Sequence, residues 1–141
     1  MLIMDANNYI DLNRESWNNR VEPHLKSEFY DLESFLKGKN SLNEIELNLL
    51  GDIKGKSILH LQCHFGQDTI SLSRLGAKVT GVDLSDKSIE KANELANQTN
   101  SDAQFVDHLS LADPLANGYQ VNPCDEVSYR IKIVISAIVL V

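Results

Sequence analysis

The rhythm of apolar and polar positions changes at Ser57. Upstream, residues 7–50 are polar, rich in Asn, Glu and Leu, and show no strand-like alternation. Three helices are predicted there. Asn13 is placed to cap one running through RESWNNRV, with Pro23 as its stop. A second carries Phe29, Leu32, Phe35 and Leu36 on one stripe and ends at Gly38. The spacing of Ser41 and Glu44 reads as a capping box for a third, with Leu42, Ile45 and Leu49 inward and Gly51 as its stop.

Downstream, SILHLQC is a short apolar strand, QDTISLSRLG a helix closed by Gly76, and KVTGVDLS a second strand. Ser85 can cap DKSIEKANELANQT, in which Ile89, Ala92, Leu95 and Ala96 share one face. AQFV supplies a third strand. Strands joined by helices over such short connections must run parallel, with right-handed crossovers. The prediction is an α/β protein, a partial doubly wound parallel sheet behind an N-terminal helical extension. Past Val106 the pattern decays into DHLSLADPLANGYQVNPCDE, read as loop. SYRIKIVISAIVLV then closes the chain as an apolar, β-branched strand candidate. The expected organisation is a cap at 1–52, a βαβαβ core at 53–107, and a loop with a terminal strand at 108–141, all in a single domain.

Length and charge narrow the partners. A chain of 141 residues supports one hydrophobic core. Its net charge is -7 and no segment is basic, so phosphate neutralisation, which drives nucleic-acid binding, has no source. A small-molecule partner is expected. The two cysteines, Cys63 and Cys124, belong to no disulfide framework and are expected as reduced thiols in the cytoplasm. The start, MLIMDANNYI, lacks the features of a signal peptide. IVISAIVLV is roughly half of the ~20 residues a membrane-spanning helix needs, so no membrane association is expected.

In a doubly wound sheet the ligand lies outside the carboxyl ends of the strands, at the switch point beside the first strand. The stretch Cys63-His64-Phe65-Gly66 falls there, directly before a helix N-terminus. The second strand ends Val82-Asp83-Leu84, and a carboxylate at that place can accept both hydroxyls of a ribose. Together the loop and Asp83 point to an adenosine-containing ligand; the alternative role for Asp83 is to cap the following helix alongside Ser85. A dinucleotide needs G-x-G-x-x-G so that backbone can approach the pyrophosphate. Here Gln62 and His64 bring side chains into that space and only Gly66 is bare. S-adenosylmethionine carries no phosphate, so one glycine suffices, and the helix dipole starting at Gln67 favours its carboxylate.

His60, Cys63 and His64 together suggest a metal site, but no fourth ligand follows at a suitable spacing, and on a continuous strand His60 and Gln62 would face one side and Cys63 the other. No metal is expected. Cys63 reads as a small buried apolar group and His64 as a loop residue beside the ligand. His24 is either a general base or a lone surface histidine.

The stretch ILHLQCHFGQDTISLSRLGAKVTGVDLSDKSIEKANELA resembles a branch of the class I S-adenosylmethionine-dependent methyltransferases in which the glycine-rich first motif is written HLQCHFGQDT. NRESWNNRVEPHLKSEFYD and SLNEIELNLLGDIKGKS are similar to that branch's N-terminal extension. The resemblance spans residues 7–106. It implies a Rossmann-like core, with S-adenosyl-L-methionine as cofactor and a small-molecule methyl acceptor. It also implies that the loop from Gln62 to Gln67 (Cys63, His64 and Gly66 included) lines the cofactor pocket with Asp83 and Leu84. Asp107 matches an acidic residue placed near the adenine amino group, whereas His60 stands where the wider superfamily has an acid. The region holding Trp17 and Tyr30 covers the cofactor in that family and shapes the acceptor site; both could equally anchor the cap to the core. Residues after 106 depart from the family's pattern, as a truncated, frame-shifted or short variant would. Two alternatives to a working methyltransferase therefore stand: a non-catalytic S-adenosylmethionine-binding fragment, and an NAD-binding oxidoreductase.

Overall fold

The computed structural model describes residues 6–107 and 138–140. The chain opens with three helices: α1 (Ala6–Leu25), α2 (Leu32–Leu36) and α3 (Glu44–Leu50). A βαβαβ unit follows, formed by β1 (Ser57–Leu61), α4 (Gln67–Arg74), β2 (Lys78–Asp83), α5 (Asp86–Gln98) and β3 (Gln104–Asp107). A last strand, β4 (Ile138–Leu140), completes the sheet in the order β3-β2-β1-β4. The β1–β2 and β2–β3 pairs are parallel, as the short helical crossovers require. β4 runs antiparallel to β1, pairing Ile138 with His60. The expected terminal strand is described only at these three residues, and the loop expected before it lies outside the described residues.

The core follows the predicted faces where the pattern is strong. Ile89, Ala92, Leu95 and Ala96 of α5 are all buried, and Ser85 caps that helix by accepting the Ser88 N–H at 3.0 Å. Burying such a stripe contributes about 1.5–3 kcal/mol per large aliphatic side chain. Two apolar clusters form. Leu42 and Leu50 from the helical extension join Ile53, Ile58, Leu72 and Val79; Phe35 joins Phe65, Ile70 and Leu95. The extension therefore packs into the same core as the sheet.

The helical extension departs from its predicted boundaries. α1 begins before Asn13 and runs through Pro23 to Leu25. Proline's φ suits a helix, and it forfeits one backbone bond only two residues before the end; the ladder resumes at once, with the Lys26 N–H on the Glu22 carbonyl at 3.3 Å. In α2, Asp31 takes a left-handed φ of 41° and caps the Ser34 N–H. Phe29 is consequently left outside the helix and 86% exposed. The capping box of α3 is not Ser41 with Glu44 but Asn43 with Glu46, two residues on: the Glu46 N–H donates to Asn43 Oδ1 at 3.0 Å, and the Asn43 N–H to Glu46 Oε2 at 2.8 Å. The inward stripe therefore uses Leu47 and Leu50, while Ile45 and Leu49 are exposed. Ser41 instead donates to Asp68 Oδ1 at 2.6 Å, at the start of α4.

Candidate functional site

β1 stops at Leu61, short of the predicted Cys63, because Gln62 takes φ 56° and turns the chain out of the sheet. His64 (φ 51°) and Gly66 (φ 80°) are also left-handed. Gln62 therefore does not share a face with His60: it is exposed, while His60 is buried. The Cys63 N–H, just past the strand end, donates to the Val82 carbonyl at 3.0 Å and fastens the turn to β2. Two non-glycine residues in the left-handed region within one loop are costly, and such strain concentrates at functional sites.

Gly66 is needed for a reason other than ligand approach. A Cβ there would stand 2.5 Å from Phe105 Cε1 and 3.0 Å from the Ala92 Cβ, so the Phe105 ring of β3 occupies the space. Glycine lets the loop close onto the core, in addition to supplying φ 80° for the start of α4. This packing role stands beside the expectation that Gly66 is bare to admit a cofactor, and Gly66 also lines a cleft beside the loop.

Asp83 ends β2 and bridges two backbone segments. One oxygen accepts the His64 N–H at 2.8 Å; the other accepts the Ser85 N–H at 2.9 Å. Both the loop and the turn before α5 are thus organised by one half-buried carboxylate. An ionised carboxylate offers about four lone-pair sites, so two remain for a ligand. The β2–β3 register sets Asp107 directly beside Asp83, placing two acidic residues level at the carboxyl edge of adjacent parallel strands. Leu84 follows Asp83, half-buried.

The histidines lie in contrasting settings. His60 is 2% exposed; its Nδ1 sits 2.8 Å from Thr69 Oγ1, and its Nε2 is buried with no hydrogen-bond partner among the described residues. Burial pushes its pKa down against the opposing pull of Asp68 and Asp83, which favours the neutral ring. Burial likewise pushes the Cys63 thiol well above its ordinary range, which makes it an inert packing group. His64 is pushed down to about 4, mainly by burial and then by His24. His24 is not a lone surface histidine: its Nδ1 lies 2.8 Å from His64 Nε2 and 3.4 Å from the Tyr30 hydroxyl. Trp17 and Tyr30 both set a ring edge against His64, at centroid distances of 6.0 and 5.8 Å. Burial, reinforced by Asp68, raises the Tyr30 hydroxyl above its usual value. These aromatic residues of the extension do converge on the loop. Sequence reasoning missed Asn18, whose Oδ1 accepts the Ser85 hydroxyl at 2.6 Å and whose Nδ2 donates to Asp86 at 2.7 Å. A polar residue on a polar helix gives no periodicity signal.

A cleft of about 320 Å³ opens between the loop and the segment from Phe29 to Glu46. Cys63, His64, Gly66, Gln67 and Asp68 line it together with Tyr30 and Ser41; Asp83, Leu84 and Asp107 are not among its walls. Gln67 is fixed in place by donating from Nε2 to the Tyr30 carbonyl at 2.9 Å. His64 is the residue common to both halves of the site, lining the cleft and holding Asp83 through its backbone N–H. Among the described residues no group of three or more His, Cys, Asp or Glu side chains is placed to hold a metal ion. No helix there is long and apolar enough to cross a membrane.

With this geometry in place, the relatives are informative. Residues 58–121 match a family model described as a methyltransferase domain. The ubiquinone biosynthesis O-methyltransferase of Shewanella pealeana is 29% identical over 122 residues, covering 77% of this chain and 52% of that enzyme. An uncharacterized protein of Haemophilus influenzae is 39% identical over 84 residues, covering 55% of this chain and 33% of its own length. The chain thus spans about a third to a half of the curated relatives it matches. A solved complex of DhpI with SAH superposes with a TM-score of 0.50 at 20% identity, over 73% of this chain and 46% of that one. That likeness shows the fold: the sheet and its helices are the Rossmann-like α/β architecture that the sequence predicts.

Proposed function

We propose that the chain is the donor-binding part of an S-adenosylmethionine-dependent methyltransferase acting on a small-molecule acceptor. The observation that carries this reading is the Asp83 carboxylate at the carboxyl end of β2, bonded to the His64 N–H of the loop that follows β1. The match of residues 58–121 to a methyltransferase domain supports it. Bound S-adenosylmethionine would supply an electrophilic methyl on sulfur. In the chain, Asp83 would take the ribose hydroxyls on its two remaining acceptor sites, with Leu84 and Asp107 flanking the adenine. The loop from Gln62 to Gln67 would carry the methionine end, its backbone held rigid by the left-handed turns and by Phe105 beneath Gly66. Trp17 and Tyr30 would cover that loop. Residues 1–52 act in this reading as a cap and 53–107 as the donor-binding core. The acidic, cysteine-poor composition and the buried free thiol of Cys63 favour the cytoplasm.

A second use of Asp83, as a turn brace alone, has its own support in the two backbone N–H groups it already accepts. Calorimetric titration with S-adenosylmethionine, S-adenosylhomocysteine and NAD separates the readings. The donor reading expects either sulfur compound to bind more tightly than NAD. Equal or tighter NAD binding, or no heat from any of the three, contradicts it.

A further inference from the structure

His24 and His64 meet through their ring nitrogens at 2.8 Å, across the contact between α1 and the loop. A nitrogen-to-nitrogen bond of this kind needs one proton between two lone pairs. With one ring protonated the bond persists; with both protonated, two N–H groups and two positive charges face each other. The rest of the assembly holds the two rings where they are. His64 Nδ1 lies 3.1 Å from the Ser88 hydroxyl on α5, and the strained backbone of His64 fixes its N–H on Asp83. α1 contributes little apolar burial of its own, Val21 being its one buried side chain among those described. Beside Leu25, half-buried against the Phe35–Phe65 cluster, and the Trp17 ring edge on His64, its attachments to the site are polar: the Asn18 bonds to Ser85 and Asp86, and the histidine pair.

From this geometry we propose that His24 is a positioning residue for the donor site, acting through His64 as a proton-sensitive latch that docks α1 on the loop. While the pair carries at most one proton, α1 is held and His64 keeps Asp83 oriented; when both rings are charged, α1 releases. The charged and titratable groups around the pair temper this without supplying a substitute. Asp83 lies against His64 and favours its charged form, yet burial and His24 outweigh it. Tyr30 presents a neutral hydroxyl, Asp68 lies beyond Tyr30, and Asp86 is engaged by Asn18. Arg20 stacks over Trp17, 4.9 Å from its ring centroid. The sign follows from linkage. His64 in the docked state stays neutral well below the ordinary histidine value of 6.5, so docking is fully present above that pH and is lost as pH falls toward about 4. With one proton as the difference between the states, the docked-to-released ratio falls up to about tenfold per pH unit within that window.

Trp17 is the chain's only tryptophan and packs on His64, so its emission reports docking without any ligand. Fluorescence of the ligand-free chain is followed from pH 7.5 to 4.5, for the natural chain and for His24→Asn, which keeps a hydrogen-bonding group near the Nδ1 position but cannot titrate. Far-UV circular dichroism runs alongside, to separate release from unfolding. The latch predicts an emission change of the natural chain between pH 6.5 and 4.5 that is weakened in His24→Asn, where His64 stays buried but no second imidazolium faces it. Coincident profiles for the two chains, or a change that tracks loss of circular dichroism in both, overturn it. The coupling to the donor site rests on the proposed function and has its own readout. S-adenosylhomocysteine affinity of the natural chain should drop at least tenfold from pH 7.5 to 5, and by a factor at least about threefold smaller for His24→Asn. Equal drops in the two chains reject the positioning role. An emission transition with no S-adenosylhomocysteine binding at pH 7.5 would uphold the latch and reject the donor reading instead.

Discussion

Helices α1 and α5 lie side by side but are held by different forces. α5 buries Ile89, Ala92, Leu95 and Ala96 on one stripe, with Leu95 1% exposed. α1 is longer, yet leaves Tyr9, Ile10, Leu12 and Trp17 exposed; it buries Val21, half-buries Leu25, and otherwise attaches through Asn18, His24 and the Trp17 ring edge on His64. Apolar burial is non-directional and tolerant of pH, whereas a few hydrogen bonds at about 0.5–1.5 kcal/mol each are directional and reversible. The difference teaches where this molecule can move. α5 belongs to the scaffold that carries Asp83, and α1 is attached to that scaffold mostly by directional contacts.

The largest effect expected from this contrast is in the scaffold. Leu95→Ala removes a fully buried side chain from the cluster shared by Phe35, Phe65 and Ile70, and should cost about 2–5 kcal/mol in urea unfolding. A loss below about 1 kcal/mol would mean that α5 is no better anchored than α1. Next in size is Asp83→Ala. Losing a carboxylate that takes two ribose hydroxyls should weaken S-adenosylhomocysteine binding by about 1.5–3 kcal/mol, with the circular dichroism unchanged. A change in affinity of less than about threefold would leave Asp83 as a turn brace only. The smallest effect belongs to α1. Asn18→Ala removes its bonds to Ser85 and Asp86 and should speed hydrogen exchange of α1 amides by an amount equivalent to about 0.5–1.5 kcal/mol, leaving α5 protection intact. Equal loss of protection in both helices would show that they open as one unit.

The same contrast explains what the sequence made legible. The βαβαβ unit was readable because burial on parallel strands and on α5 imposes runs and periods that composition cannot disguise. Ser85, Ile89, Ala92 and Leu95 all take their expected places. The helical extension was less readable. It contains two overlapping capping signals, Ser41 with Glu44 and Asn43 with Glu46, and only tertiary placement of Ser41 on Asp68 decides between them. Asp83 could be picked out by its position at a strand end. Its double engagement with His64 and Ser85 could not, because it depends on the left-handed turn that His64 adopts without glycine. Gly66 carries the opposite lesson. A glycine expected to face a ligand also yields its Cβ space to Phe105, a residue remote in sequence and close only across the sheet.

The central claim is that the loop after β1 and the end of β2 form one donor site. Amide chemical-shift mapping of the chain with S-adenosylhomocysteine tests this most directly, since His64, Asp83, Leu84 and Ser85 each carry a backbone N–H within the proposed contact. The account predicts that these four amides and that of Asp107 move most on saturation, with α1 amides from Trp17 to His24 following. Shifts confined to the segment from Lys39 to Glu46, on the far wall of the cleft, or none at saturating ligand, would contradict it.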